Sequence, residues 1–529
     1  MAFGAAAGSA FSDSQQVRKT VIRTEHGVVA AQHKQAAQAG AQVLRAGGDA
    51  VDAAVACSFV IGVLEPWMSG PAGGGAAMHW RADTGTAHAL NFGMRSPQGL
   101  DARDFPLSGR GVAGDLFPWE HVEDDRNVQG ATAIAVPGVV DGLGQAHDRW
   151  GRIPWVELLQ PAIEHAQKGM LVDWYAALMI ASTTRELAKD ADAAALFLDD
   201  GQWPKGSGWT ALAEKRLDQA RMADSLQVLA QDGARALYDG DLGAAMAADV
   251  ADKGGSLRHR DLREYRAAFH DPLAVPYRDA LFYVLPGLTA GPTFADVMRR
   301  LQDLSLPDMA TAVPAYATAL RDAYRARLAG MGDDGESPAA PGCTTHFSVV
   351  DAAGNMVAHT QTLLSIFGSR VVSPSTGFLM NNGIMWFDPV QGRPNSLAPG
   401  KACLMNVCPM LGQQGARRFA LGASGGRKIV SAVSQLASYV TDFGMDLEQA
   451  FHHPRIDVSG GPHVIADEAF PQDILDSLSR DHDLRTTRRN VLPYAFACPA
   501  GVMRDGDRNQ GCTEVMSPWG DAVVAGDDN

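Results

Sequence analysis

The chain has 529 residues, of which 46% are hydrophobic and 20% charged, so it can bury a sizeable core and is not a disordered protein. Lys and Arg number 45 against 60 Asp and Glu, and the net charge of −15 argues against a nucleic-acid backbone or an anionic membrane surface as the main partner. Small-molecule or peptide substrates remain.

The N-terminal segment, residues 1–16, has neither a basic n-region nor a sustained apolar run. The longest apolar stretch, residues 50–64, contains Asp52 and is too short to span a bilayer. The six cysteines have no regular spacing and do not indicate a disulfide framework. These features predict a cytoplasmic protein without a signal peptide or a membrane segment.

The first predicted elements are two Ala-rich helices followed by a glycine-rich turn. Helical spacing over residues 32–45 ends at Gly47-Gly48, and Asp49 is the predicted cap of a second helix that reaches about Leu64. The segment Ser69-Gly-Pro-Ala-Gly-Gly-Gly75 has neither the spacing of a dinucleotide fingerprint nor the lysine of a P-loop, so it predicts a close backbone approach instead of a phosphate site. Further helices are predicted over residues 155–169, 210–235 and 293–303.

A clear seam lies at residues 331–343, which are small, polar and rich in Gly and Pro and therefore predict an exposed loop. Directly after it, residues 344–350 and 356–363 have the composition of two strands joined by a turn. If residues 351–355 form that turn, Thr344 faces Thr362 across the hairpin, at a Cβ separation of about 4.5–5.5 Å.

A threonine placed just after a cleavable loop has a specific chemical use. Its hydroxyl is a weak nucleophile that needs a base, and cleavage of the preceding peptide bond would free an α-amino group with a pKa near 7.7–8.0 to act as that base. An ordinary strand threonine remains the alternative interpretation, because a Thr-Thr pair alone does not distinguish the two.

The sequence around this pair resembles the γ-glutamyltransferase family of N-terminal-nucleophile (Ntn) hydrolases. The resemblance extends from about residue 27 to the end of the chain. It is carried by Gly47-Gly-Asp-Ala-Val-Asp-Ala-Ala54, Glu65-Pro66, Ser69-Gly70, Gly73-Gly-Gly75, Val136-Pro-Gly138, Gln160-Pro161, Thr344-Thr-His-Phe-Ser-Val-Val-Asp-Ala-Ala-Gly-Asn355, Phe367-Gly368 and Gly377-Phe-Leu-Met-Asn-Asn382.

The resemblance implies an α+β fold, a four-layer αββα sandwich built from two fragments of one self-cleaved precursor. Residues 1–343 would form the large subunit and residues 344–529 the small one. Thr344 matches the family's nucleophile, Thr362 the threonine that hydrogen-bonds it, and Gly425-Gly426 the pair whose N–H groups form the oxyanion hole. The implied activity is that of a self-processing amidohydrolase or acyltransferase, in which Thr344 takes the acyl group of an amide and passes it to water or an amine. No cofactor or metal is implied, and the two fragments would pair with each other.

The substrate clamp of γ-glutamyl enzymes is largely missing. The family's Arg-Glu-Met-Ala-Pro stretch corresponds to Gly93-Met-Arg-Ser-Pro97, so glycine replaces the carboxylate-binding arginine and Arg95 lies two residues further on. The other substitutions at matching positions are Leu364 for an asparagine, Gly383 and Trp386 for a glutamine and an aspartate, and Met405-Asn406 for two serines. Since a zwitterionic head group needs charges and donors around it, the predicted substrate is an amide with a less polar or at most monoanionic acyl group, bound by Arg95, Leu364, Trp386 and Asn406.

Two other functions fit parts of the sequence. Gly422-Ala-Ser-Gly-Gly426 has the Gly-x-Ser-x-Gly pattern of a nucleophile elbow, which would make Ser424 the nucleophile of an esterase with a downstream histidine. Alternatively, the chain keeps the fold without cleaving itself and acts as a non-catalytic binding protein. The first leaves the family pattern unexplained, and the second leaves Thr344, Thr362 and the glycine pair without a use.

Overall fold

The structure is a computed structural model that describes residues 18–113, 119–206, 214–330, 343–459, 463–491 and 494–526. The predicted loop before Thr344 therefore lies outside the described residues, apart from Cys343, with which a strand begins. The proposed boundary between large and small subunits remains a prediction.

Most of the strands belong to two seven-stranded sheets. In chain order the strands are β1 (Ile22–Thr24), β2 (Val28–Ala31), β3 (Gly74–Arg81), β4 (Thr86–Phe92), β5 (Leu107–Val112), β6 (Glu120–Val122), β7 (Leu198–Asp199), β8 (Trp203–Pro204), β9 (Ala268–His270), β10 (Leu273–Tyr277), β11 (Ala280–Val284), β12 (Cys343–Val350), β13 (Met356–Leu364), β14 (Met410–Gln414), β15 (Arg417–Ser424), β16 (Ile456–Asp457), β17 (Val464–Asp467), β18 (Leu484–Thr487), β19 (Cys498–Asp505), β20 (Arg508–Thr513) and β21 (Asp521–Val524). One large sheet has the order β21-β2-β12-β13-β3-β4-β9 and the other β1-β20-β19-β15-β14-β11-β10.

Helices cover the outer face of each sheet. The α-helices are Lys34–Arg45, Ala50–Leu64, Val139–Trp150, Trp155–Lys168, Trp174–Ser182, Thr184–Leu187, Ala191–Phe197, Ala220–Asp232, Asp241–Asp252, His259–Glu264, Gly291–Leu301, Met309–Gly330, Lys428–Thr441, Leu447–His452 and Gln472–Asp481. Ala50–Leu64 packs with one face of the sheet that holds β12, and Lys428–Thr441 packs with the outer face of the other sheet. A third apolar cluster fills the space between the sheets, so the predicted αββα sandwich is confirmed.

The local signals in the sequence explain several helix ends. The Asp49 carboxylate accepts the N–H of Val51 at 2.8 Å and, together with Asp52, forms a capping box at the start of Ala50–Leu64. The helix predicted over 210–235 is shorter than expected and spans Ala220–Asp232. It does not begin earlier because Arg216, just before it, pairs with Leu171 as an isolated β-bridge. Residues 207–213 lie outside the described chain. Among the helices that are described, none is both long and apolar enough to cross a membrane.

The glycine-rich turn brings two central strands together, as predicted. Gly73 to Gly75 lead into β3, which pairs with β13 through Gly74–Thr362 and Gly75–Gln361. A Cβ atom on Gly75 would lie 2.1 Å from the carbonyl oxygen of Thr360, so no larger residue fits there. The turn thereby positions the strand that carries Thr362.

Candidate active site

The hairpin of β12 and β13 places the candidate nucleophile. The predicted register holds from Val350–Met356 to Thr345–Gln361, but it shifts before Cys343, which pairs with Leu364. The direct pairing of Thr344 with Thr362 was therefore wrong in detail. Thr344 is instead opposed by two residues, Thr362 and Leu363, in a β-bulge of the kind that often adjoins active sites.

The alternation of side chains along the hairpin sends Thr344 and Thr362 toward the space between the sheets. The same face carries His346 and Thr360, whose Nδ1 and Oγ1 atoms lie 2.8 Å apart. Thr344 is buried, and the Oγ1 atom of Thr362 accepts the N–H of Leu364 at 2.8 Å. Thr344 and Thr362 therefore lie on the face of their sheet that is turned toward the other large sheet.

His346 is held as a neutral structural residue. Its Nδ1 contacts Thr360 Oγ1 and its Nε2 lies 3.0 Å from Ser348 Oγ. Burial lowers the pKa of His346 well below its usual range, so the ring is uncharged at neutral pH. With both ring nitrogens engaged, His346 has no free position from which to act as the base for Thr344.

The Gly425-Gly426 pair adopts a backbone conformation suited to glycine. Their φ angles are 128° and 61°, in the region that L side chains rarely adopt. The carbonyls of Gly425 and Gly426 accept the N–H groups of Lys428 and Ile429 at the start of a helix. Within the described chain neither glycine N–H meets an acceptor, which leaves two adjacent donors for an oxyanion.

Ser424, the candidate nucleophile of the alternative esterase, is fully buried. Its Oγ atom accepts from Gln32 Nε2 at 2.7 Å and lies 2.8 Å from the hydroxyl of Tyr494. In the part of the chain that the structure describes, none of the downstream histidines is hydrogen-bonded to it; these are His452, His453, His463 and His482. The geometry therefore offers no base for Ser424, and it gives that residue a place in a hydrogen-bonded network.

Two residues of this network were not singled out by the sequence analysis. Gln32 and Glu65 both contact Thr345, the residue after the candidate nucleophile, with Oγ1 3.0 Å from Gln32 Oε1 and 2.8 Å from Glu65 Oε2. Burial raises the pKa of Glu65 to about 8. Glu65 was noticed only as part of a motif, and no local signal marks Gln32.

Comparison with known proteins shows the family of the chain. A family model described as Gamma-glutamyltranspeptidase matches residues 36–341 and 333–518. The chain belongs to the gamma-glutamyltranspeptidase family. It is therefore a self-processing enzyme of the Ntn-hydrolase class that acts on amide bonds.

Over most of its length the chain is similar both to proteins named acylase and to proteins named glutathione hydrolase. It is 33% identical to an Acylase ACY 1 proenzyme of Pseudomonas sp. (strain V22), over 86% of this chain and 87% of that protein. It is 28% identical to a Glutathione hydrolase proenzyme of Bacillus subtilis (strain 168), over 87% and 85%. The crystal structure of cephalosporin acylase from Bacillus halodurans has the same fold, with a TM-score of 0.84 at 24% identity and coverage of 96% and 98%.

In this gamma-glutamyltranspeptidase family member, the apolar side chain of Met405 lies against Gly93, the position at which the resemblance predicts the arginine of γ-glutamyl enzymes. A Cβ atom on Gly93 would lie 2.6 Å from Met405 Cε, and Met405 is itself buried. Leu364 and Trp386 belong to the same apolar cluster between the sheets. Leu364, Trp386 and Met405, three of the substituted positions, are therefore all members of one buried apolar cluster.

Arg95 and Asn406 lie in different surroundings. The Arg95 side chain is exposed and donates to the carbonyl of Gly400 at 3.2 Å. Asn406 is buried, with Oδ1 accepting from Arg327 at 2.9 Å, and among the described residues its Nδ2 has no acceptor. Arg327 also donates to the carbonyl of Met405 at 3.0 Å, so one buried guanidinium fixes this pair.

The contact between Gly93 and Met405 can be tested by measuring the free energy of unfolding of variants at these two positions. We expect Gly93→Arg to lower the free energy of unfolding by about 1–3 kcal/mol, because the new side chain must displace a buried methionine. Gly93→Arg combined with Met405→Ser should recover part of that loss in urea denaturation. Gly99→Arg is the matched control, since Gly99 is exposed and its nearest obstacle is 3.6 Å away. An equal loss at both glycines would contradict the assigned contact.

Proposed function

We propose that the enzyme hydrolyses amides whose acyl group is less polar than γ-glutamyl, with Thr344 as its nucleophile. The α-amino group released by self-cleavage takes the proton from the Thr344 hydroxyl, whose oxygen attacks the amide carbonyl. The N–H groups of Gly425 and Gly426 donate to the oxyanion of the tetrahedral intermediate. The amine leaves with the proton, and water then attacks the acyl-enzyme ester and releases the acid.

The observation that carries the choice of acyl group is that Leu364, Trp386 and Met405, three of the substituted positions, belong to one buried apolar cluster. A γ-glutamyl group carries an ammonium and a carboxylate, and burying either without a partner is costly. The space at Gly93, where the family resemblance places an arginine, is taken by Met405. An uncharged acyl chain avoids this cost.

Asn406, which follows Met405 in the chain, offers one polar contact. Arg327 holds its Oδ1, which turns the Nδ2 atom away as a buried donor without an acceptor among the described residues. A buried donor is unfavourable unless it is paired, so a substrate oxygen on the acyl group is a suitable partner. We assign to Asn406 the binding of a distal carbonyl or single carboxylate, as in a glutaryl group.

A panel of p-nitroanilides tests the proposed substrate class. We expect kcat/KM for glutaryl- or simple acyl-p-nitroanilide to exceed that for γ-glutamyl-p-nitroanilide by about tenfold or more, which corresponds to about 1.4 kcal/mol. A preference for the γ-glutamyl compound would overturn the proposal.

Asn406→Leu, assayed on the same panel, should weaken binding of the glutaryl compound by about tenfold and leave binding of the simple acyl compound nearly unchanged.

A further inference from the structure

A continuous chain of hydrogen-bonded side chains, all buried except the half-buried Tyr494, connects β12 to the loop of Gly425 and Gly426, which we call the oxyanion loop. We call this chain of side chains the Gln32 chain, and it consists of Glu65, Thr345, Gln32, Ser424 and Tyr494. Thr345 directly follows Thr344, and Ser424 directly precedes Gly425. Gln32 joins these two positions, because its Oε1 is 3.0 Å from Thr345 Oγ1 and its Nε2 is 2.7 Å from Ser424 Oγ.

The orientation of the Gln32 amide follows from its partners. Its Nε2 also donates to the carbonyl of Cys498 at 2.5 Å, and a carbonyl oxygen can only accept. Oε1 therefore faces Thr345, whose single hydroxyl proton is donated to it. The remaining contact, from Thr345 Oγ1 to Glu65 Oε2 at 2.8 Å, then needs a proton on the carboxyl group. Glu65 thus completes the chain as a neutral acid.

The oxyanion loop is also fixed from its other side. A Cβ atom on Gly425 would lie 2.9 Å from Ala497 Cα and 3.3 Å from a ring carbon of Tyr494. The hydroxyl of Tyr494 contacts Ser424, and Lys428 Nζ donates to the Tyr494 carbonyl. The position of Gly425 is therefore set by Ser424 on one side and by Tyr494 on the other.

We propose that Gln32 is a positioning residue that aligns the oxyanion donors with Thr344, and that protonated Glu65 locks it in place through Thr345. This inference rests on the proposed function, since it assigns a role to the surroundings of the same nucleophile. Because the alignment matters most when the oxyanion forms, loss of the Gln32 chain lowers kcat far more than it changes KM.

The titratable groups facing Glu65 come from several other elements. A cavity of about 30 Å³ beside Glu65 is also lined by Tyr175, Arg489, Tyr494, Cys498 and Glu514. Burial raises the pKa of Cys498 to about 12 and that of Tyr494 well above its usual range. Burial alone would raise the pKa of Glu514, but Arg455 and Arg489 outweigh it and hold that pKa low. Another group of this site that titrates near pH 8 is the α-amino group of Thr344 after cleavage. Because this amine acts as a base only when it has lost its proton, its titration makes kcat rise with pH.

The first test compares kcat and KM of Gln32→Met with those of the wild type, per molecule cleaved at Thr344. We expect kcat to fall about 10- to 100-fold with KM within about threefold. Ser424→Ala interrupts the chain at its other end and should show the same split. Gln219→Met is the matched control, because Gln219 is buried with bonds to Met170 N–H and the Val63 carbonyl but has no contact with the loop.

The second test uses Glu65→Gln, whose amide donates to Thr345 as the neutral acid does. The folded pKa of about 8 lies above the usual value of 4.5, so the favourable contribution of Glu65 is complete below pH 4.5 and is lost as the pH rises through 8. We expect wild-type kcat to decline above pH 8, and Glu65→Gln to match the wild type at pH 7 but lack that decline. Glu468→Gln, at an exposed ion pair with Arg488, should retain it.

The outcomes separate this inference from the proposed function. If the wild type neither cleaves itself nor hydrolyses any p-nitroanilide, the proposed function fails. If the wild type is active but Gln32→Met and Ser424→Ala keep kcat within twofold, or Glu65→Gln keeps the alkaline decline, the positioning role is wrong. The melting temperatures of all variants are compared with that of Gln219→Met. A fall in kcat without a larger fall in melting temperature than in Gln219→Met is then not explained by loss of folded protein.

Discussion

Thr344→Ala should leave the protein as one chain of 56.1 kDa without amidase activity, whereas the wild type should separate into fragments of about 36 and about 20 kDa, in proportion to 343 and 186 residues. The expected effect is a complete loss, because the same hydroxyl attacks the preceding peptide bond and later the substrate. Denaturing gel electrophoresis and mass spectrometry check it, and the smaller fragment should begin at Thr344.

Thr344→Ser is the matched variant, since it keeps the hydroxyl and should still cleave. Cleavage of Thr344→Ala at the same bond would exclude Thr344 as the nucleophile. A wild type that stays intact on long incubation would favour a non-catalytic binding protein. Amidase or esterase activity in that intact chain, lost in Ser424→Ala, would instead favour Ser424.

Gly425→Ala should reduce kcat by about 10²- to 10³-fold, the range observed when one oxyanion donor is lost. A φ of 128° is unfavourable for alanine, and the new Cβ atom would lie 2.9 Å from Ala497 Cα, so the loop must move and its N–H groups move with it. Single-turnover kinetics on the processed protein measure this effect directly. Gly426→Ala, at a φ of 61°, should act in the same direction.

Gly415→Ala separates loop displacement from simple backbone strain. Gly415 also has a positive φ, of 58°, but it lies in the turn between β14 and β15 and nothing lies within 4 Å of its Cβ position. We expect some loss of stability there and an unchanged kcat. Equal losses of kcat in Gly415→Ala and Gly425→Ala would contradict the assignment of the oxyanion donors.

The sequence predicted those parts of the fold that depend on local patterns. The Asp49 cap and the hairpin from Val350 to Thr345 depend on neighbouring residues, and both appear where expected. The bulge opposite Thr344 did not follow from the pattern, because the register shift depends on how Thr362 and Leu363 meet other strands and loops. Met68, for example, accepts the N–H of Leu363 through its carbonyl at 3.0 Å.

The site was predictable only where a motif carried it. The resemblance marked the glycine pair and the substituted clamp positions, but it could not show that Met405 packs onto Gly93. Gln32 and Glu65 meet Thr345 from positions about 300 residues away in the chain. Such a contact depends on the sandwich as a whole, so it leaves no periodicity or spacing in the sequence.

The order of strands in the two large sheets has a consequence for what happens after cleavage. In one sheet β12 and β13 stand between β2 and β3, and in the other β11 pairs with β14, so the segments before and after Thr344 alternate within both sheets. Removing either fragment would expose the unpaired edges of its partner's strands to solvent. The cut would therefore create a new chain end without creating a separable subunit. The halves should exchange with added free fragment no faster than the whole protein unfolds.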